Sequence, residues 1–89
     1  MPEISRFFGI VIRMYFRDVG QHNVPHIHAA YAEYDASFSL PSGDLLAGDL
    51  PRRQRRMVEA WIEIRREELI EAWGRAIRGQ APGRIDPLS

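Results

Sequence analysis

The chain has no cysteine and no lysine; all twelve of its basic residues are arginine. The missing cysteine excludes disulfides, thiolate metal sites and cysteine nucleophiles, and leaves the redox compartment open. The missing lysine fits a base-rich coding genome as easily as a preference for bidentate contacts, and carries little functional weight. Net charge is also lacking, because twelve acidic residues cancel the twelve basic ones. No global field therefore pulls the protein toward nucleic acid or a lipid surface, and any electrostatic preference must come from local clusters. Apolar runs are only a few residues long, far short of the roughly 20 needed to span a bilayer, and no basic-then-apolar leader opens the chain. A cytoplasmic location without membrane association is the expectation.

What is present is enough for one hydrophobic core. The chain has 89 residues, 45% apolar and 27% charged, a globular balance rather than a disordered one. One domain is expected, with a β half over 1–48, a helical half over 49–79 and an irregular tail over 80–89. Ile10, Ile12, Met14 and Phe16 alternate with Val11, Arg13 and Tyr15, the period of a strand with one buried face. Arg13, Tyr15 and Arg17 then share the other face. Polar residues with Gly20 and Pro25 predict a loop over 18–25. A second strand is expected from His26 to about Ala32, with a turn at Glu33 and Tyr34 and a return through Ala36, Phe38 and Leu40. Residues 44–47 supply an edge strand before Gly48. The fold class expected is α+β, a small antiparallel sheet of three or four strands with C-terminal helices packed on one face through Met57, Trp61 and Ile62.

Asp49 is the expected N-cap, Pro51 suits the first helical turn, and Gly79 is the expected stop. At about 100° per residue, Met57, Val58, Trp61, Ile62 and Ile64 form one apolar stripe, and Leu69, Ile70, Trp73 and Ile77 form another about 120° away. One straight helix cannot bury both. Either it breaks near residues 65–67 into two packed helices, the reading adopted here, or the second stripe meets a partner such as another copy of the chain. The tail is expected to be pinned by Ile85 and Leu88.

Two clusters are candidates for chemistry. His22, His26 and His28 lie within seven residues, and on a strand His26 and His28 point to one side. Imidazoles in this pattern suit a divalent metal such as zinc or nickel, with His22, Asp18, Glu33 or Asp35 as the third ligand. The same rings also suit acid/base catalysis, with Arg13 or Arg17 steadying an anionic substrate and a neighbouring phenol orienting a ring, or a hydrogen-bonded structural role. No phosphate-binding glycine loop or nucleophile motif selects an enzyme class. The second cluster, Arg52, Arg53, Arg55 and Arg56, sits at the start of the helix, where the macrodipole disfavours cations by about 0.3–1 kcal/mol per exposed group. Either it is a solvated face partly neutralised by Glu59 and Glu63, or it contacts a protein partner or nucleic acid. Trp61 and Trp73 read as core anchors.

Several stretches together resemble a small bacterial family. They are Pro2-Glu3-Ile4-Ser5-Arg6-Phe7, Gly9-Ile10-Val11-Ile12 with Met14-Tyr15, and above all His22-Asn23-Val24-Pro25-His26-Ile27-His28-Ala29 followed by Tyr31. The likeness continues through Gly43, Leu50-Pro51-Arg52-Arg53, Trp61, Glu67-Glu68-Leu69 and Trp73. The family is known as domain of unknown function 4160. It usually carries a proline pair where this chain has Val24-Pro25. The resemblance places the family hallmark on Pro25, His26 and His28, with Tyr31 following. Members are often encoded beside another short protein in a layout like that of toxin-antitoxin pairs. The resemblance thus implies a small binding or regulatory protein with a neighbouring gene's product as partner. The residues leave a histidine- or metal-dependent nuclease or hydrolase as the alternative.

Overall fold

The computed structural model describes residues 2–15 and 24–89. Among them, five strands, β1 (Glu3–Phe7), β2 (Ile10–Arg13), β3 (His26–Tyr31), β4 (Tyr34–Ser39) and β5 (Leu45–Gly48), precede one helix, α1 (Arg52–Ile77). The strands form one antiparallel sheet in chain order, so each pairs with its sequence neighbour. The α+β class holds, with five strands rather than three or four and one helix rather than several.

β1 was hidden by a bulge. Ser5 pairs with Ile12 and Glu3 with Arg13, leaving Ile4 as an extra residue between them. Ile4 and Ser5 are therefore both buried, and the period-2 signal is lost there. The β1–β2 turn has positive φ at both central residues, Phe8 (49°) and Gly9 (80°), and such mirror-image turns match the twist of a hairpin. The β3–β4 turn falls at Ala32 and Glu33, because Tyr31 pairs with Tyr34. That is one residue earlier than the sequence suggests.

Ile10, Ile12, Met14, Ile27, Ala29, Ala36, Phe38 and Leu40 are all buried in a core shared with Val58, Trp61, Ile62, Leu69, Ala72 and Ala76 of α1. Trp61 sits at the centre, its ring 5.3 Å from that of Phe7. Arg65 has non-helical φ/ψ (−106°, 17°), so the helix kinks at the place where the stripes diverge and then continues. A kink suffices because Ala72 and Ala76, rather than Ile70 and Ile77, are buried beyond it. Ile64, Ile70 and Ile77 remain exposed.

The helix ends are asymmetric. Pro51, not Asp49, occupies the N-cap position and provides no side-chain cap; Asp49 Oδ1 instead accepts a 2.9 Å hydrogen bond from the Leu50 backbone N–H. At the other end Gly79 (φ 78°) donates to Ala76 O and Gln80 to Arg75 O, the paired bonds of a Schellman stop. The tail then crosses back over the molecule. Trp61 Nε1–H donates to Asp86 O at 2.8 Å, Arg75 to Pro82 O at 2.6 Å, and the Ile85 backbone N–H to Ile4 O at 2.8 Å. Ile85 is buried and Leu88 packs against the core, as expected. Hydrogen bonds from Arg6, on the same strand, and Arg84, in the tail, hold the Glu3 carboxyl at a pKa of about 2 and tie the two chain ends together. Among the described residues, no helix is long and apolar enough to cross a membrane.

Candidate functional site

Pairing in the sheet decides which candidate residues meet. Arg13 lies opposite His28, and His28 opposite Ser37, so these three form a row across β2, β3 and β4. Residues directly opposite share a face. That face is turned away from Ile12, Ala29 and Phe38, which enter the core. One step along, Val11, Ala30 and Asp35 form the next row. Arg13, His28, Ala30 and Asp35, together with Tyr15, line a depression of about 320 Å³. Its floor is low because Ala30, between Val11 and Asp35 in its row, carries only a methyl group.

The histidines are joined to aromatic rings on both sides. The Tyr15 ring centroid is 4.4 Å from that of His28, His28 is 5.1 Å from His26, and His26 is 5.0 Å from Trp73 on α1. The row runs from the depression to the helix. His26 is buried, and its Nδ1 lies 2.8 Å from Val24 O. A carbonyl only accepts, so Nδ1 carries a proton and any chemistry of this ring runs through Nε2. His28 is half-buried, with Ser37 Oγ hydrogen-bonded to its Nδ1 at 3.3 Å. Of the two rings, His28 is the one that lines the depression, and His26 is the one that reaches Trp73.

The structure thus brings Arg13 and Tyr15, which the alternation puts on one face, together with His28, sets Asp35, a candidate third ligand, in the next row, and turns Tyr31 away. Tyr31 alternates to the other face, where it packs against the core and beneath Gly9. The sequence does not point to Ser37, because a turn at Glu33 and Tyr34 lies one residue late and misaligns β4 against His28. Trp73 reads correctly as an apolar anchor, but its contact with His26 has no local signal in the sequence. His22, Arg17 and Asp18 lie outside the described residues. Among the described residues, no three His, Cys, Asp or Glu side chains converge to hold a metal ion.

The arginine cluster is a separate place. Arg52, Arg53 and Arg56 are exposed and Arg55 is half-buried. Arg52, Arg55 and Arg56 line a concavity of about 360 Å³ with Glu59. One ion pair, Arg55 Nε to Glu59 at 3.3 Å, offsets part of this charge. No acidic residue lies in the first helical turn, so the macrodipole and the arginines add in sign.

No curated protein and no solved structure matches the chain in comparisons of either kind. A protein-family model does match, over residues 9–74, a span that runs from the first hairpin turn to just past Trp73 and includes both clusters. By that match, the chain belongs to the family described as Domain of unknown function (DUF4160).

Proposed function

We propose that the protein is a small binding and regulatory module, one component of a toxin-antitoxin-like pair, and that Arg52, Arg53, Arg55 and Arg56 form its contact surface for an anionic partner. The partner is a small protein encoded by a neighbouring gene or a nucleic acid. The observation that carries this reading is the concavity at the helix start, where three guanidinium groups face a single carboxylate. Such an arrangement costs helix stability through the macrodipole and offers planar donors that fit carboxylates or phosphates in pairs.

The test is to replace the four arginines with glutamine and compare affinity for the co-expressed neighbouring protein, RNA and DNA. Affinity for the true partner falls at least tenfold, about 1.4 kcal/mol. Thermal stability holds or rises, because the unfavourable charges at the helix N-terminus are gone. Unchanged binding to all three, or failure of the neighbouring protein to co-purify together with no nucleic-acid binding, ends this reading.

A second reading, a small nuclease or hydrolase, is favoured by the row of His26, His28, Tyr15 and Arg13. Here His28 exchanges protons with the substrate, Arg13 steadies negative charge, and a divalent metal such as zinc or nickel would need His22 beside His26 and His28. Turnover that persists in a folded His26→Ala/His28→Ala variant is incompatible with it.

A further inference from the structure

The depression on the sheet holds two opposite charges that do not neutralise each other. Arg13 and Asp35 both line it, yet neither forms an ion pair among the described residues. They stand on strands two apart and in neighbouring rows, Arg13 opposite His28 and Asp35 opposite Ala30. With strands about 4.8 Å apart and rows two residues apart along a strand at about 3.3 Å per residue, their backbones lie roughly 12 Å from each other. A ligand that satisfies both carries an anionic group facing Arg13 and hydrogen-bond donors facing Asp35.

The surroundings narrow the class further. Beside Arg13, the His28 ring adds a second group able to donate to an anion, and the pair of residues is directly cross-strand. Between the charges the floor is Ala30, low and apolar, which leaves room for a flat ring. Tyr15 stands edge-on to His28 at the anion end. The volume of about 320 Å³ is at the small end of ligand sites, which run from about 300 to 1,000 Å³.

We infer that this depression binds a nucleotide unit, with its phosphate against Arg13 and His28, its sugar and base over Ala30, and the donor edge of the base or a ribose hydroxyl against Asp35. The inference rests on the cluster's being a ligand site, as the second reading holds, but requires no turnover. It is also independent of the arginines at the helix start. The nucleotide is either free or one residue of a single strand, since the recognised chemistry is the same.

The experiment is a titration of the full-length protein with adenosine, guanosine, cytidine and uridine monophosphates, inorganic phosphate, and a short single-stranded oligoribonucleotide. His28 and Tyr15 ring signals are followed by NMR. At least one monophosphate or the oligonucleotide shifts both rings. Arg13→Gln weakens that binding at least tenfold. Asp35→Asn weakens it severalfold while leaving any binding of inorganic phosphate unchanged, a split that a merely structural role would not produce. Much tighter binding of the oligonucleotide identifies a nucleic-acid strand as the source, and equal binding identifies the free nucleotide. The inference is overturned if no nucleotide or oligonucleotide shifts the rings, or if Arg13→Gln and Asp35→Asn, both folded, bind like wild type. Because binding is read without hydrolysis, a bound oligoribonucleotide that stays intact with zinc or nickel added removes the nuclease reading alone.

Discussion

Gly48→Ala loses about 2–5 kcal/mol of stability, one of the largest effects of a single methyl group expected in this chain. Two physical terms combine. Gly48 has φ of +73°, in the left-handed region where a side chain costs about 1–2 kcal/mol. In addition, a Cβ there would lie 2.2 Å from Asp35 O and 2.9 Å from Ala36 Cα, both backbone atoms of β4. Neither can rotate away, so β5 must move off β4, and overpacking of this kind typically costs about 1–3 kcal/mol. Gly43 supplies the control. Its φ is +79°, but a Cβ there meets nothing within 4 Å, so Gly43→Ala loses the conformational term only. Denaturant unfolding of both variants separates the terms, and equal losses would show that the close approach at Gly48 is relieved at no cost. The site is involved as well, since the backbone carbonyl that the new methyl meets belongs to Asp35.

Trp61→Ala loses about 3–5 kcal/mol. Trp61 is fully buried, packs on Phe7, and is the link between the core and the tail through its Nε1–H bond to Asp86 O. Removing the ring opens a cavity between sheet and helix and releases the tail at the same time. For a domain of this size the melting temperature falls by at least about 12 °C. Trp61→Phe distinguishes the two roles. It keeps most of the packing and leaves the Asp86 carbonyl, on an exposed residue, to hydrate, so the hydrogen-bond part of the loss is only about 0.5–1.5 kcal/mol. Hydrogen exchange at Ile85 reports the tail directly, because its amide is bonded to Ile4 O. Fast exchange at Ile85 in Trp61→Phe with an otherwise protected sheet is expected; full protection would mean that the tail is held by Ile85 and Arg84 without Trp61.

The legible and illegible parts of this fold divide along physical lines. Alternation from Ile10 to Met14 and from Ile27 to Leu40 marks the apolar face, and it correctly put Arg13 and Tyr15 on the other one, although His26, Ser37 and Ser39 on that other face are buried too. Helix ends that depend on a single backbone requirement were also legible, as the left-handed Gly79 shows. The divergence of the two apolar stripes located the kink at Arg65. The kink does not become a break, because Ala72 and Ala76, which carry little weight in a hydrophobic pattern, are buried in the second half of the helix. β1 was lost to a bulge, and Ser37 to a turn placed one residue late. In a hairpin a slip of one residue moves every cross-strand partner. The contact of His26 with Trp73 joins residues 47 positions apart, so only the folded chain reveals it. The arginine cluster, by contrast, was visible as soon as the helix start was placed, since its charge opposes the macrodipole whatever the rest of the fold does.

The most direct test of the proposed function is to map the bound partner onto the protein. Isotope-labelled protein is mixed with the neighbouring gene's product, and separately with RNA and DNA, and backbone and guanidinium signals are followed by NMR. Perturbations centred on residues 52–59 with one of these partners are the result expected of a binding module that uses the helix-start arginines. Perturbations that spare those residues with every partner that binds would contradict it.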